Sequence, residues 1–264
     1  MTPSTTQAKG KNRILSKITA VVLPCLFWLG AWQFIAMYVG RELLVASPKR
    51  VFTILRNEAG TAAFWKTIGM SLLRIFRGFS LAVILSVPTA VLTARVRPLY
   101  LLIHPVISVI RATPVASFIL FLLIWCKNRD VPSIITFLMV FPIVWTRVSQ
   151  GIDSVDPKLT EVGKIFRLSR RAMVKDIYAP QVLPYFAQAV ITSLGLAWKS
   201  GIAAEVLCTP PDSIGKMIYN ARVYLETPEL FAWTLTVIVI SMLFERLITS
   251  LLSRLGLPES EVKD

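Results

Sequence analysis

Residues 156–184 read DPKLTEVGKIFRLSRRAMVKDIYAPQVLP. This polar-rich stretch separates two apolar segments, and six basic residues follow its opening Asp156-Pro157: Lys158, Lys164, Arg167, Arg170, Arg171 and Lys175. Asp156 can accept a hydrogen bond from the free N–H groups of a first helical turn, and Pro157 has no N–H to leave unsatisfied. Leu159, Val162, Ile165 and Phe166 then recur at three- and four-residue spacing, which predicts a short amphipathic helix with one apolar stripe. Ser169 reads as the cap of a second helix. Pro180 and Pro184 are expected to stop that helix before the next apolar run.

Outward from this loop, the 264-residue chain is 55% hydrophobic with a mean hydropathy of +0.63. Ile18 to Gly40 is 23 residues without a charge, and Ile177 to Trp198 is another 22. About 20 apolar residues cross the hydrocarbon core as a helix, so the chain reads as an all-α polytopic membrane protein. Six spans are expected, at about 18–39, 67–94, 100–126, 131–149, 184–207 and 229–252, within one membrane domain over 18–254. A polar, basic tail over 1–17, disordered at its start, precedes them, and a second tail over 255–264 follows. The first apolar run is longer than a signal-peptide core and lacks a clear small-x-small cleavage site. Between spans, Ser47-Pro48 announces a short surface helix. Residues 214–225 carry apolar positions at helical spacing, for a helix on the membrane surface or folded back against the bundle. Arg74 and Arg77 place the deeply buried part of the second span at Gly78 to Ala94.

The net charge of +14 suggests nucleic acid only until the charges are placed. They sit in short loops beside apolar spans, with no separate basic stripe bearing interleaved aromatics. With both termini inside, sixteen Lys and Arg residues fall on the inner side and nine on the outer. That bias puts the 156–183 loop in the cytoplasm. The three cysteines, Cys25, Cys126 and Cys208, lack metal-ligand spacing, and a Cys126–Cys208 bridge stays open as an alternative. His104 is the sole histidine. One histidine and few intramembrane acids are poor material for a membrane-embedded enzyme.

Arg111, Lys199 and Glu205 lie inside expected spans. A charge at the centre of a span costs roughly 2.5–3.5 kcal/mol, so each should face the bundle interior, a partner or a water-filled path. Lys199 and Glu205 are six residues apart, about 120° around a helix, which argues against a simple intrahelical pair. Two roles stay open for Lys199: a cation in the translocation path that attracts an anionic group, or a snorkelling or interhelical partner. Glu205, nearer the outer end of its span, is a candidate for a gate or a dimer contact.

The 156–184 stretch resembles the EAA loop of ABC-importer permease subunits. Glu161-Val162-Gly163 stands at the Glu-Ala-Ala start, and Ile177 to Pro184 resembles the closing Ile-x-x-Pro-x-x-Leu-Pro. Arg111-Ala112-Thr113-Pro114 is similar to an Arg-x-x-Pro early in the same core. Ser193 to Lys199, with Ala204-Glu205, resembles the fifth-span signature of the nitrate, sulfonate and taurine branch. Leu44 to Pro48 and Ser154 to Pro157 resemble other stretches of that branch, in the same order. The resemblance implies a coupling loop that docks on an ATPase through Glu161, Val162, Gly163, Phe166, Arg167, Leu168, Ile177, Pro180 and Pro184. It implies a path or gate built with Arg111, Pro114, Trp198, Lys199 and Glu205. It further implies two ATPase subunits, a second permease subunit (a homodimer as the expectation), an extracytoplasmic solute-binding protein, and a home in the cell membrane.

Two departures stand out. Gly163 replaces an alanine, at about 1 kcal/mol of helix propensity. Arg167 replaces a glycine that turns the chain between two helices. Either the turn is built differently here, or Arg167 adopts a left-handed conformation at about 1–2 kcal/mol and gains a contact with the ATPase. No G-x-x-x-x-G-K-[ST] phosphate loop is present, so no nucleotide site is expected in this chain. The reading assigns it no catalytic residue, metal or cofactor, and no nucleic-acid partner. The rival reading is an ATP-independent channel or secondary transporter, which has no need of a basic amphipathic loop ending in Pro-x-x-x-Pro.

Overall fold

The computed structural model describes residues 6–254, with side chains described over 22–250. The expected tail over 255–264 lies outside them. The described residues are helical, with no strand among them: α1 (Thr6–Val39), α2 (Pro48–Ala59), α3 (Ala62–Arg95), α4 (Arg97–Ala112), α5 (Val115–Trp125) and α6 (Val131–Asp153), followed by α7 (Pro157–Ile165) and α8 (Arg170–Ala172). A π-helical stretch (Met173–Tyr178) leads into α9 (Ala179–Cys208), then come α10 (Ile214–Val223) and α11 (Thr227–Arg254). Five helices are long and apolar enough to cross a membrane, and α4 with α5 makes a sixth if the bent pair counts as one span.

Helix starts follow cap chemistry. Ser47, Thr61, Asp156, Ser169 and Ser213 each accept a hydrogen bond from a backbone N–H of the first turn that follows. Three helices, α3, α6 and α9, make the core, and small residues let their backbones approach. A Cβ on Gly78 would lie 2.1 Å from the Ser133 carbonyl oxygen. A Cβ on Gly201 would lie 2.6 Å from Ile75 Cγ1. Along α3, the buried Ser71, Gly78, Ala82, Ser86, Ala90 and Thr93 continue the same face. In a bilayer such close contact is what drives helices together, because lipid is as apolar as leucine. The apolar stretch Val22–Val39 of α1 is not buried against the bundle. That helix is tied on by Trp32, whose indole N–H donates to the Ala46 carbonyl at 2.9 Å and whose ring stacks on Phe231.

The structure differs from expectation in four places. The stretch 100–126 is two helices bent by 108° at Thr113-Pro114. Pro114 lacks the N–H to continue the ladder and its ring disfavours helical backbone at Thr113, which is extended (φ −83°, ψ 131°). Pro180 and Pro184 do not stop the second loop helix: Arg170 to Cys208 is one 39-residue run. Its π-helical turn stands just before Pro180, where the missing N–H breaks the regular ladder. The chain is helical from Thr6, so the expected polar tail is part of α1 from there on. Finally, α3 begins at Ala62, its first buried residue is Phe64, and the Arg74 side chain is packed inside the bundle.

Candidate functional site

The loop helix α7 is fixed to the bundle at two points. At its start, the Asp156 N–H donates to Gln181 Oε1 at 3.0 Å, while Gln181 Nε2 donates to the Ile177 carbonyl at 3.0 Å. In its middle, Gly163 is buried against the next helix: a Cβ there would lie 2.8 Å from both Met173 Cε and Ile177 Cδ1. Gly163 is thus where α7 touches the π-helical stretch, against the ends of Met173 and Ile177. The helix ends in a Schellman motif. The Leu168 N–H donates to the Gly163 carbonyl and the Arg167 N–H to the Lys164 carbonyl. Arg167 takes the left-handed position with φ 49°. Of the two alternatives for this departure, the turn is the usual one, built with a non-glycine residue.

The opposite face of α7 is open. Leu159, Val162 and Leu168 are exposed, and Ile165 and Phe166 are 76% and 75% exposed. Glu161, Lys164 and Arg167 flank them, also exposed. Ile177 is half-buried under Gly163, whereas Pro180 and Pro184 lie on the outer side of α9. Exposed apolar residues bordered by charges are thus the character of this loop helix and its end.

The second site lies at the other end of α9. Glu205 is fully buried, and its Oε1 accepts from Arg74 Nη1 at 3.1 Å. Its Oε2 accepts from the Ser71 hydroxyl at 2.7 Å and from the Gly215 N–H at 3.3 Å. The Ser71 oxygen in turn accepts from the Ile214 N–H at 2.9 Å. Arg74 also donates to the carbonyls of Pro211 and Asp212. Four separate pieces of chain meet here: α3, α9, the 209–213 loop and the start of α10. The loop holds two non-glycine residues at positive φ, Thr209 (45°) and Asp212 (47°). Such conformations persist when the surroundings over-determine them, as the Arg74 fork and the Lys66–Asp212 ion pair at 2.8 Å do. The Lys66 ammonium that hydrogen-bonds the Asp212 carboxyl holds it below the usual carboxylate value. Gly215 is required by contact as well: a Cβ would meet Glu205 Cβ at 2.3 Å. Of the two placements expected for the 214–225 helix, α10 is the one folded back against the bundle.

Glu205 thus faces α3 and α10 within the described residues. Trp198 is buried near Phe244, and its indole N–H has no partner among the described residues. Arg111, Pro114 and Lys199 are exposed. Neither Arg111 nor Lys199 forms an ion pair with a described residue. Cys126 and Cys208 are free thiols packed in one apolar cluster. The sequence pattern did not mark Arg74 as the partner of Glu205, nor Ser71, Gln181 and Gly215 as parts of these sites. A signal for Arg74 was present: Ser71, Arg74 and Gly78 recur at helical spacing and belong to one small and polar stripe, the mark of a packed face.

Comparison with known proteins agrees with this architecture. The bicarbonate transport system permease protein CmpB of Synechococcus elongatus is 25% identical over 229 residues, covering 80% of this chain and 81% of that protein. The taurine transport system permease protein TauC of Escherichia coli is 23% identical over 238 residues, covering 88% and 86%. The putative aliphatic sulfonates transport permease protein SsuC of Bacillus subtilis is 23% identical over 226 residues, covering 84% and 81%. A crystal structure of an amino acid ABC transporter with histidines shares the fold at a TM-score of 0.55 and 18% identity, over 70% of this chain and 89% of that one. Residues 82–256 match the family described as binding-protein-dependent transport system inner membrane component, which takes in α4 to α11 and the whole 156–184 loop. This chain, a multi-pass helical membrane protein, belongs to that family of transport permease subunits.

Proposed function

We propose that this chain is the permease subunit of an ATP-driven importer and that α7 is its coupling helix. The observation that carries the proposal is the exposed apolar face of α7, joined rigidly through Gly163 and Gln181 to α9. An ATPase that grips Ile165 and Phe166 would pull on a 39-residue helix running to the Glu205 clamp. Movement at one end of the bundle thereby reaches the loop at the other. ATP chemistry belongs to the partner, present in two copies around two permease subunits, with an extracytoplasmic binding protein delivering solute. Both termini and α7 face the cytoplasm, as the charge bias supports. Lys199, Arg111 and the break at Pro114 line the path. Free, exposed cations within spans favour a solute that carries an anionic group, of the bicarbonate, taurine or sulfonate kind that the relatives carry. Glu205 and Arg74 hold the outer gate together from inside the fold.

Uptake in membrane vesicles tests this reading. With binding protein and labelled taurine, alkanesulfonate, nitrate or bicarbonate, import of at least one solute is expected to require ATP and to continue when the membrane potential is collapsed. Uptake that follows the potential or an ion gradient and ignores ATP would establish the secondary-transporter reading instead. Lys199→Ala is expected to reduce uptake about tenfold or more while leaving assembly intact; unchanged uptake removes Lys199 from the path.

A further inference from the structure

Beside the α7 face, and sharing Leu168 with it, lies one further large feature. A groove of about 1060 Å³ opens between the end of α3, the end of α6 and the start of α9. Its walls are apolar, with Val91, Val148, Val182 and Phe186 among them. All four belong to helices long and apolar enough to span a membrane. Toward the loop end the lining changes to Arg95, Arg170, Arg171 and Lys175. No carboxylate lines the groove, and none of these four cations forms an ion pair with a described residue.

We propose that this groove binds an anionic phospholipid, its phosphate held by Arg95, Arg170, Arg171 and Lys175 and its acyl chains lying along Val91, Val148, Val182 and Phe186. The two halves of the groove match the two halves of such a lipid. Unpaired cations at the interface attract a phosphate, and apolar walls between helices accept hydrocarbon. A free inorganic anion would leave the apolar walls unfilled. The assignment to the inner leaflet rests on the cytoplasmic placement of α7. Because Arg170 to Lys175 begin the helix that α7 packs on, a lipid seated here would brace the base of the coupling element.

Native mass spectrometry of the detergent-purified complex, offered equal phosphatidylglycerol and phosphatidylcholine, tests the site. The wild type is expected to retain about fivefold more phosphatidylglycerol. The triple change Arg170→Gln, Arg171→Gln and Lys175→Gln should erase that preference. Val91→Trp, which keeps every charge and fills the groove, should lower retention of phosphatidylglycerol. Removing equal charge elsewhere, by Lys49→Gln, Arg50→Gln and Arg56→Gln, should leave the preference in place. Wild-type retention in both groove variants overturns the proposal. So does a Val91→Trp protein that keeps its lipid but loses its ATPase or second subunit, because the groove then belongs to a protein. Sidedness is read separately, by maleimide labelling of Glu161→Cys in a background lacking the native cysteines. Labelling from outside would overturn the leaflet and the topology without touching the lipid preference.

Discussion

At Arg167 the chain accepts a left-handed backbone without glycine, because the Schellman bonds of Leu168 and Arg167 close the end of α7. Arg167→Gly should relieve on the order of 1 kcal/mol of strain, read as a rise in melting temperature of the purified protein. Arg167→Val should lower it, since a β-branched residue suits that conformation least. If Arg167 also touches the ATPase, the glycine variant will be more stable but less coupled, and the two readouts will part. The buried pair behaves differently. Removing one member, as in Arg74→Met, leaves the Glu205 carboxyl enclosed without its cation, and about 3–5 kcal/mol of stability should be lost. The double change Arg74→Met with Glu205→Leu should recover much of that, and a double-mutant cycle measures how much. Additive losses would show that the two do not act as a pair. Here sequence reading was half sufficient. Glu205 announces itself as an acid inside a span, whereas its partner is 131 residues away and no local pattern joins the two.

Among the elements, glycines decide how closely helices meet, and two of them make opposite predictions. A Cβ on Gly215 would collide with the Glu205 Cβ and with the backbone of Glu205 and Val206, at 2.3–2.4 Å. Backbone in a packed helix cannot move aside, so Gly215→Ala should cost about 1–3 kcal/mol or displace α10, measured by thermal unfolding. A Cβ on Gly163 would meet only the ends of Met173 and Ile177, which can rotate away. Gly163→Ala should therefore be near neutral, with a helix-propensity gain of up to about 1 kcal/mol offsetting the repacking. Helix caps were legible at Ser47, Asp156 and Ser169 because capping is a local matter of a few residues. The fate of the prolines was not. Pro114 breaks its span, whereas Pro180 and Pro184 sit within a continuous helix. A π-helical turn precedes Pro180, but Pro88, Pro105, Pro142 and Pro184 sit inside helices without one, so no local pattern at a proline tells a break from a continuous helix.

At the scale of the molecule, the all-α membrane class was plain from charge-free runs, since their length is set by bilayer thickness alone. The three-helix core of α3, α6 and α9 was not, because small residues spaced for close approach leave mean hydropathy unchanged. What emerges is a lever: an exposed apolar helix at one end, a continuous 39-residue helix, and a buried ion pair that pins a strained loop at the other. Such a lever works only if that exposed helix takes hold of an ATPase. The most direct measurement is co-purification of the membrane-extracted protein with its ATPase, wild type against Phe166→Asp, with ATP hydrolysis scored on each eluate. Phe166 is 75% exposed, so the change should leave the fold intact. The account predicts that the wild type brings down an active ATPase and that the variant, equally folded, brings down about tenfold less, as expected when a charge is placed in the apolar centre of an interface. Equal recovery of ATPase by both would show that α7 is not the docking surface, and recovery by neither would contradict the importer itself.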